Sequence, residues 1–287
     1  MAAKDRTKIP ILPPRWRLAL YLALTLILLA TGSKRAGAML ENHFLYFPER
    51  TLVATPATFR LSYKEISFPA EDGTMLHGWF IPGEPDRPVV LFCHGNAGNI
   101  SHRVDNLYWL NQAGYSTFIF DYRGYGRSAG NPSEPGLYAD ARGALAWLKK
   151  EYGATGPVIY FGRSLGAAIA LQLAIETPPQ ALIMESAFTS VTAMGKTHYP
   201  LLYHLLGWLI AAEYDNEEKI GRLRAPLLLI HGTGDAIVPV AMGRRLYDLA
   251  PSPRQLYLVE GADHNDGHYL EGPKYWIAWQ SFLAQLD

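Results

Sequence analysis

From about residue 63 onward, short apolar runs alternate with longer segments in which apolar positions recur every three or four residues. Short apolar runs are typical of strands covered on both faces, and the longer period is typical of amphipathic helices. The alternation therefore predicts a mostly parallel sheet with helices on both faces. Six central strands are predicted, at residues 89–93, 117–121, 158–161, 181–184, 227–230 and 256–259.

Two further segments, residues 64–68 and 75–81, flank the turn-forming residues Glu71, Asp72 and Gly73. This arrangement predicts an antiparallel hairpin ahead of the parallel strands. Helices are predicted at residues 102–112, 137–151, 165–175, 240–249 and 275–286.

One segment interrupts the alternation. About forty residues separate the strand ending near Met184 from the strand beginning near Leu227, which is far more than a usual connection. Within this segment, residues 198–212 are strongly apolar and aromatic but too short to span a membrane. We predict a cap-like insertion at about residues 187–222 with one helix over the carboxyl edge of the sheet, whose apolar face packs into the domain or lines a pocket.

The first 38 residues are predicted to be a separate unit, an N-terminal membrane anchor or signal segment. Residues 18–30 are apolar apart from Thr25, and basic residues precede them. Counted to Ser33, a helix of this run would be about 24 Å long, slightly less than the roughly 30 Å of a hydrocarbon core. The preceding positive charge favours an anchor that leaves the domain of residues 39–287 on the periplasmic, extracytoplasmic side. The alternative is secretion after signal cleavage at residues 36–38, which have small side chains.

Charge and composition argue against several classes of protein. The 287 residues carry 26 basic and 26 acidic side chains, with no basic block beyond the amino terminus. Composition therefore gives no electrostatic reason to expect nucleic-acid binding. Cys93 is the only cysteine, which excludes an intrachain disulfide and a cysteine-based metal cluster. The oligomeric state is left open.

The candidate nucleophile is Ser164, in the sequence Gly-Arg-Ser-Leu-Gly between a predicted strand and a predicted helix. A serine at the apex of so sharp a turn exposes its hydroxyl at the top of a sheet, and Gly162 and Gly166 allow strand and helix to approach closely. A similar pattern surrounds Ser128. There, however, Pro132 follows at once and disfavours a helix directly behind the serine, so we interpret Ser128 as a loop residue.

A serine hydroxyl needs a base within hydrogen-bond reach and a carboxylate that orients the base. Asp235 and His264 each follow a predicted strand, in glycine-containing loops at the carboxyl edge of the sheet. The chain order is therefore serine, aspartate, histidine. His268 is the rival base, four residues beyond His264. The weaker candidates for the acid are close to His264 in sequence or follow an earlier strand: Asp263, Asp266 and Glu185.

Negative charge that develops on the attacked carbonyl oxygen needs hydrogen-bond donors already aimed at it. One expected donor is the backbone amide of Leu165, directly after the nucleophile. We assign the other to the backbone amide of Asn96, in the glycine-containing loop of residues 94–99. This loop lacks the lysine and the glycine spacing of a nucleotide-binding loop.

Taken together, these motifs resemble the α/β-hydrolase superfamily. The motifs are His94 to Asn99, Asp121 to Gly126, Gly162 to Gly166, His231 to Asp235, and Asp263 with His264. The similarity runs from about residue 40 to the carboxyl end and is greatest to the membrane-anchored branch, which includes palmitoyl-protein thioesterases and is related to serine-aminopeptidase-like enzymes. It implies an α/β-hydrolase fold with about eight strands, a triad of Ser164, Asp235 and His264, and an oxyanion hole of Asn96 and Leu165. A palmitoylated cysteine cluster, typical of the eukaryotic thioesterases, is missing from the amino terminus.

These features predict a serine hydrolase that cleaves an ester or thioester through an acyl-enzyme, with a small-molecule or lipid-like acyl substrate. No cofactor or metal is expected. The alternatives are a serine peptidase of the same fold and a non-catalytic membrane-tethered domain that binds a lipid or a protein. The aromatic, leucine-rich insertion favours an acyl group over a peptide.

Overall fold

The structure is a computed structural model that describes residues 45–151 and 157–286. The membrane anchor or signal predicted for residues 1–38 lies outside the described residues. Within the described ranges, every helix is either too short or too polar to cross a bilayer.

An eight-stranded sheet forms the centre of the molecule, in the order β10-β9-β8-β7-β4-β6-β3-β2. β1 and β5 form a separate parallel pair. The strands are β1 (Phe47–Pro48), β2 (Lys64–Pro69), β3 (Met75–Ile81), β4 (Val89–Cys93), β5 (Ala97–Gly98), β6 (Ser116–Phe120), β7 (Val158–Arg163), β8 (Ala181–Glu185), β9 (Leu227–Gly232) and β10 (Arg254–Val259).

Helices alternate with the strands. They are α1 (Val104–Gln112), α2 (Glu134–Glu151), α3 (Leu165–Glu176), α4 (Val191–His198), α5 (Pro200–Leu206), α6 (Asn216–Ile220), α7 (Val240–Leu249), α8 (Gly267–Glu271) and α9 (Pro273–Leu283). Short 3₁₀ turns lie at Pro56–Phe59, Ile100–Arg103 and Gly207–Leu209.

The central strands are apolar because helices cover both of their faces. On one face, buried residues of α2 and α3 such as Leu137 and Leu171 pack against the sheet. On the other face, α1 and α9 close the core, and the ring of Trp279 meets that of Phe161 edge-on at 4.9 Å. The two layers hold the sheet rigid, so the loops at its carboxyl edge start from fixed positions.

The predicted architecture is confirmed. β2 and β3 form the antiparallel hairpin, β3 also pairs antiparallel with β6, and the other strand pairs of the main sheet are parallel. Predicted boundaries differ from the observed ones by a few residues. For example, α2 begins at Glu134 and β10 at Arg254, both earlier than predicted.

The single cap helix predicted over residues 198–212 is wrong. The chain instead forms α4, then α5, then a 3₁₀ turn at Gly207–Leu209. The break falls at Tyr199, whose φ of −135° and ψ of 55° are not helical. Proline disfavours helical geometry in the residue before it and is well accommodated in a first helical turn, so Pro200 ends one helix and starts the next.

Candidate active site

Ser164 lies on the turn between β7 and α3 with φ 54° and ψ −116°. A non-glycine residue pays about 1–3 kcal/mol for such a conformation, so the surroundings must hold it. Its N–H donates to the carbonyl of Glu185 at 2.8 Å. A side chain on Gly162 would overlap the backbone of Gly166, and one on Gly166 would overlap the carbonyl of Cys93. The two glycines therefore allow the close contact that presents the Ser164 side chain at the sheet edge.

The loops after β9 and β10 bring Asp235 and His264 together. His264 Nδ1 lies 2.7 Å from Asp235 Oδ2. The other oxygen, Oδ1, accepts from the backbone N–H groups of Ile237 at 2.9 Å and Val238 at 2.7 Å. Because both carboxylate oxygens are engaged, the orientation of Asp235 and of the imidazole beside it is fixed.

The carboxyl group of Asp235 is held ionised. Burial opposes its ionisation, but hydrogen bonds from His231, His264 and the backbone of Val238 outweigh this effect and hold its pKa well below the usual range. His231 Nε2 lies 3.4 Å from Asp235 Oδ2 and 2.9 Å from the carbonyl of Val238. An ionised Asp235 can only accept a hydrogen bond, so this contact favours the tautomer of His264 that carries its proton on Nδ1.

Ser164 and His264 line one cavity of about 570 Å³, together with the predicted oxyanion residues Asn96 and Leu165. Nearly half of the lining residues lie between β8 and α6. Most of these are apolar, among them Phe188, Met194, Leu202, Leu206 and Ile210. Within the described ranges, no cluster of three or more His, Cys, Asp or Glu residues could hold a metal ion.

α4 and α5 act as one unit along this cavity. The ring of Tyr203 rests on Gly195 and Gly207, and its hydroxyl lies 2.7 Å from the Thr192 hydroxyl. His198 Nε2 lies 2.7 Å from the carbonyl of Ile237, two residues after Asp235. The apolar wall is thereby fastened to the loop that carries Asp235.

The loop that carries Asn96 is held by a segment to which the sequence analysis assigned no role. Asn96 Nδ2 donates to the carbonyl of Leu45 at 2.5 Å, and Oδ1 accepts from the Phe47 N–H at 3.3 Å and the Tyr125 hydroxyl at 2.9 Å. β1 also pairs with β5 directly after Asn96. A two-residue strand gives no periodic pattern, so the sequence carried no signal for this contact.

The amide of Leu165 occupies the first position of α3. N–H groups of a first helical turn have no acceptor within the helix, so this donor can serve a ligand.

The rival residues lie elsewhere. The buried Ser128 hydroxyl donates to the carbonyl of Asp121 at 2.6 Å and accepts from the His77 N–H at 2.9 Å, as expected for a loop serine. His268 Nε2 lies 3.0 Å from Asp105 Oδ2, and His268 is outside the set of residues lining the cavity.

The three rival carboxylates also have other partners. Glu185 pairs with Arg163 at 2.7 Å, and both side chains are buried. Asp263 accepts from the Ala236 N–H at 3.0 Å, and Asp266 accepts from the Asp263 N–H at 2.7 Å. Each carboxylate therefore stabilises the loops around the site.

Arg103 also lines the cavity, and the sequence analysis did not single it out. Its position carried a signal. Arg103 immediately precedes α1, and a cation is disfavoured at the positive end of a helix dipole. A basic residue there calls for a specific reason.

The fold and the strained serine turn define the class: the chain has an α/β-hydrolase fold. The solved structure of the Pyrococcus furiosus esterase Pf2001 matches with a TM-score of 0.68 and 22% identity, covering 83% of this chain and 98% of that one. A family model described as serine aminopeptidase, S33, matches residues 84–216.

Sequence relatives give the family. The uncharacterised protein Rv2307c of Mycobacterium tuberculosis is 38% identical over 248 residues, which are 85% of this chain and 88% of that protein. Lysophosphatidylserine lipase ABHD12 of Rattus norvegicus is 36% identical over 187 residues, 59% of this chain and 47% of that protein. The chain belongs to the α/β-hydrolase superfamily.

Replacing Asn96 by alanine tests whether its side chain positions the loop. Asn96→Ala keeps the backbone amide but removes three hydrogen bonds to Leu45, Phe47 and Tyr125. We expect kcat for a nitrophenyl ester to fall about 10- to 100-fold, because a displacement of about 1 Å in such a site has effects of this size. Tyr125→Phe removes one of these bonds and should have a smaller effect. Unchanged kcat in Asn96→Ala would contradict the positioning role.

The lowered pKa of Asp235 has a consequence for stability. A carboxyl group with a lowered pKa in the folded state stabilises that state above the unfolded-state pKa of about 3.9, and this contribution is lost as the pH falls below it. Urea unfolding of the wild type and Asp235→Asn should show a clear difference in unfolding free energy at pH 5. The difference should shrink toward pH 3. A difference independent of pH over this range would show that Asp235 is not held ionised.

Proposed function

We propose that the protein is a serine hydrolase that cleaves acyl esters or thioesters, with Ser164, His264 and Asp235 as its triad. The observation that carries the proposal is the 2.7 Å contact of His264 Nδ1 with Asp235, on an imidazole that lines the same cavity as Ser164. The strained conformation of Ser164 supports it, since strain of this kind clusters at functional sites.

In the proposed reaction, Ser164 Oγ bonds to the carbonyl carbon while its proton passes to His264 Nε2. The amides of Asn96 and Leu165 donate to the oxyanion. The tetrahedral intermediate collapses as His264 gives its proton to the departing alcohol or thiol, which leaves an acyl group on Ser164. Water then attacks the acyl-enzyme with the same base, and release of the acid restores Ser164. Asp235 stabilises the imidazolium in both halves.

The cavity lining supports an acyl group as the part of the substrate that is bound. Met194, Leu202, Leu206 and Ile210 supply an apolar wall, and burying one methylene group contributes about 0.8 kcal/mol. The names of the relatives agree with this preference, because one is a lysophosphatidylserine lipase and a structural neighbour is an esterase.

The second candidate, an aminopeptidase, draws support from the description of the matching family model. An aminopeptidase must hold a positively charged amino terminus, for which a carboxylate is the usual partner. Within the described part of the chain, the residues lining the cavity include Arg103 but no aspartate or glutamate. The esterase is therefore the preferred proposal.

The location of the enzyme remains a proposal from the sequence. Residues 1–38 would tether the catalytic domain, residues 39–287 with a cap-like insertion at about 187–222, on the extracytoplasmic side of a membrane. The alternative is secretion after cleavage. An enzyme tethered in this way would encounter lipid-like acyl substrates at the membrane surface.

Covalent labelling tests the nucleophile. Wild-type protein should react with a fluorophosphonate probe, and Ser164→Ala should neither react nor retain activity, with kcat lower by about 10,000-fold or more. Ser128→Ala is the matched control, because its hydroxyl is engaged within a loop. It should stay reactive. A labelled Ser164→Ala protein, or an unreactive wild type, would refute the proposed mechanism and would favour the non-catalytic alternative.

Acyl-chain preference tests the apolar wall. Leu202 lines the cavity, whereas its neighbour Leu201 is 73% exposed and does not. Leu202→Trp should fill the groove and lower the ratio of kcat/KM for decanoyl over butyryl nitrophenyl ester about tenfold, which corresponds to losing about two methylene contacts. Leu201→Trp should leave the ratio unchanged. Equal ratios in all three proteins would place the acyl chain elsewhere.

A further inference from the structure

Arg103 is a cation at the reacting end of the cavity. A side chain on Gly95 would begin 3.8 Å from Arg103 Nη2 and 3.7 Å from Ser164 Cβ, so the guanidinium and the serine both lie close to the same glycine. The guanidinium donates to the carbonyls of Ala97 at 2.8 Å and His102 at 3.2 Å. Its buried Nε has no hydrogen-bond partner among the described residues.

No carboxylate among the described residues forms an ion pair with Arg103. Within residues 45–151 and 157–286, no aspartate or glutamate lies within 4 Å of it. Glu185 is paired with Arg163, and Asp105 Oδ2 lies 3.0 Å from His268 Nε2. The nearest carboxylates therefore have other hydrogen-bond partners, and they act on Arg103 only from beyond ion-pair distance.

Arg103 nevertheless stays charged. Burial, followed by the nearby charge of Arg163, lowers its pKa to about 10, which is still well above neutral pH. A partly buried guanidinium without a counter-ion has donors to offer an anion, and Arg binds carboxylates and phosphates with paired hydrogen bonds. The start of α1 adds positive potential at the same place.

We propose that Arg103 binds a negatively charged group, a phosphate or a carboxylate, on the alcohol part of the acyl substrate. This inference rests on the proposed ester hydrolysis and names its substrate class: anionic single-chain amphiphiles. The apolar wall between β8 and α6 takes the acyl chain, and the ester lies over Ser164. Arg103, at the end of the 3₁₀ turn that follows the Asn96 loop, takes the anion.

Matched substrates test the charge preference. One pair is 1-octanoylglycerol and its 3-phosphate, and the other is ethyl octanoate and octanoyl glycolate, which carries a carboxylate; octanoate release gives kcat/KM. The wild type should have a higher kcat/KM for the anionic member of at least one pair. The pair that shows this preference tells whether Arg103 binds a phosphate or a carboxylate. Arg103→Gln should lower that preference about 10- to 100-fold, the usual effect of a charge-assisted hydrogen bond. Arg103→Lys should recover part of it, and Arg244→Gln, at an exposed arginine outside the cavity, should keep it.

Two outcomes would overturn the proposal. One is a wild type with no preference for the anionic member of either pair. The other is an Arg103→Gln protein that loses activity equally on neutral and anionic substrates, because a purely structural role, or a role in stabilising the oxyanion, would act on both.

A binding measurement separates this inference from the hydrolase proposal. Calorimetry on Ser164→Ala should detect octyl phosphate or octanoate, but octanol at least tenfold more weakly. A second substitution, Arg103→Gln, should remove the difference. If the wild type hydrolyses no ester and does not react with the fluorophosphonate probe, the hydrolase proposal fails. The calorimetry still decides whether Arg103 binds the anion, because it does not depend on hydrolysis. Equal affinity for the three ligands in Ser164→Ala would reject that role.

Discussion

The contact of α3 with the central sheet is the constraint on which the site depends. Gly166 packs against the carbonyl of Cys93 and Gly162 against the backbone of Gly166, with no room for a side chain at either position. Because β7 and α3 pack so closely, the turn between them is sharp and Ser164 takes a positive φ. Its cost, about 1–3 kcal/mol, is offset by burial of α3, whose apolar side chains fill one core of the sheet. Packing of α3 on the sheet therefore fixes the turn, and with it the position of Ser164 at the sheet edge.

The remaining parts of the site are held by neighbours of different kinds. Backbone amides and two imidazoles fix the Asp235 carboxylate, the Asn96 loop is fastened by β1, and α4 and α5 are joined by Tyr203 resting on two glycines. The sheet fixes the position at which each loop begins, and these local contacts fix the conformation of each loop. The cavity combines an apolar wall, a charged guanidinium and a serine, and on this ground we propose a substrate that is both apolar and negatively charged.

Much of this could be predicted from the sequence, for identifiable reasons. Strands buried on both faces are short apolar runs, so the central strands and the loops after them, with Ser164, Asp235 and His264, were visible. The cap was predicted as one helix because apolar residues continue from residue 198 to residue 212, and this composition does not record the end of the α-helix at Leu206. The β1 contact with Asn96 was missed because it joins residues far apart in the chain, which a local pattern does not record. Arg103 was missed although a basic residue beside a helix start is a local signal, because that signal does not show which cavity the side chain faces.

The central claim is that Ser164, His264 and the two backbone amides converge on one reacting carbonyl. A crystal structure of the protein after reaction with a fluorophosphonate tests it directly, since the bound phosphonyl group resembles the tetrahedral intermediate. We expect phosphorus on Ser164 Oγ, a phosphoryl oxygen about 3 Å from the N–H groups of Asn96 and Leu165, and His264 still hydrogen-bonded to Asp235. Phosphorus on another residue, or an oxygen turned away from both amides, would contradict it.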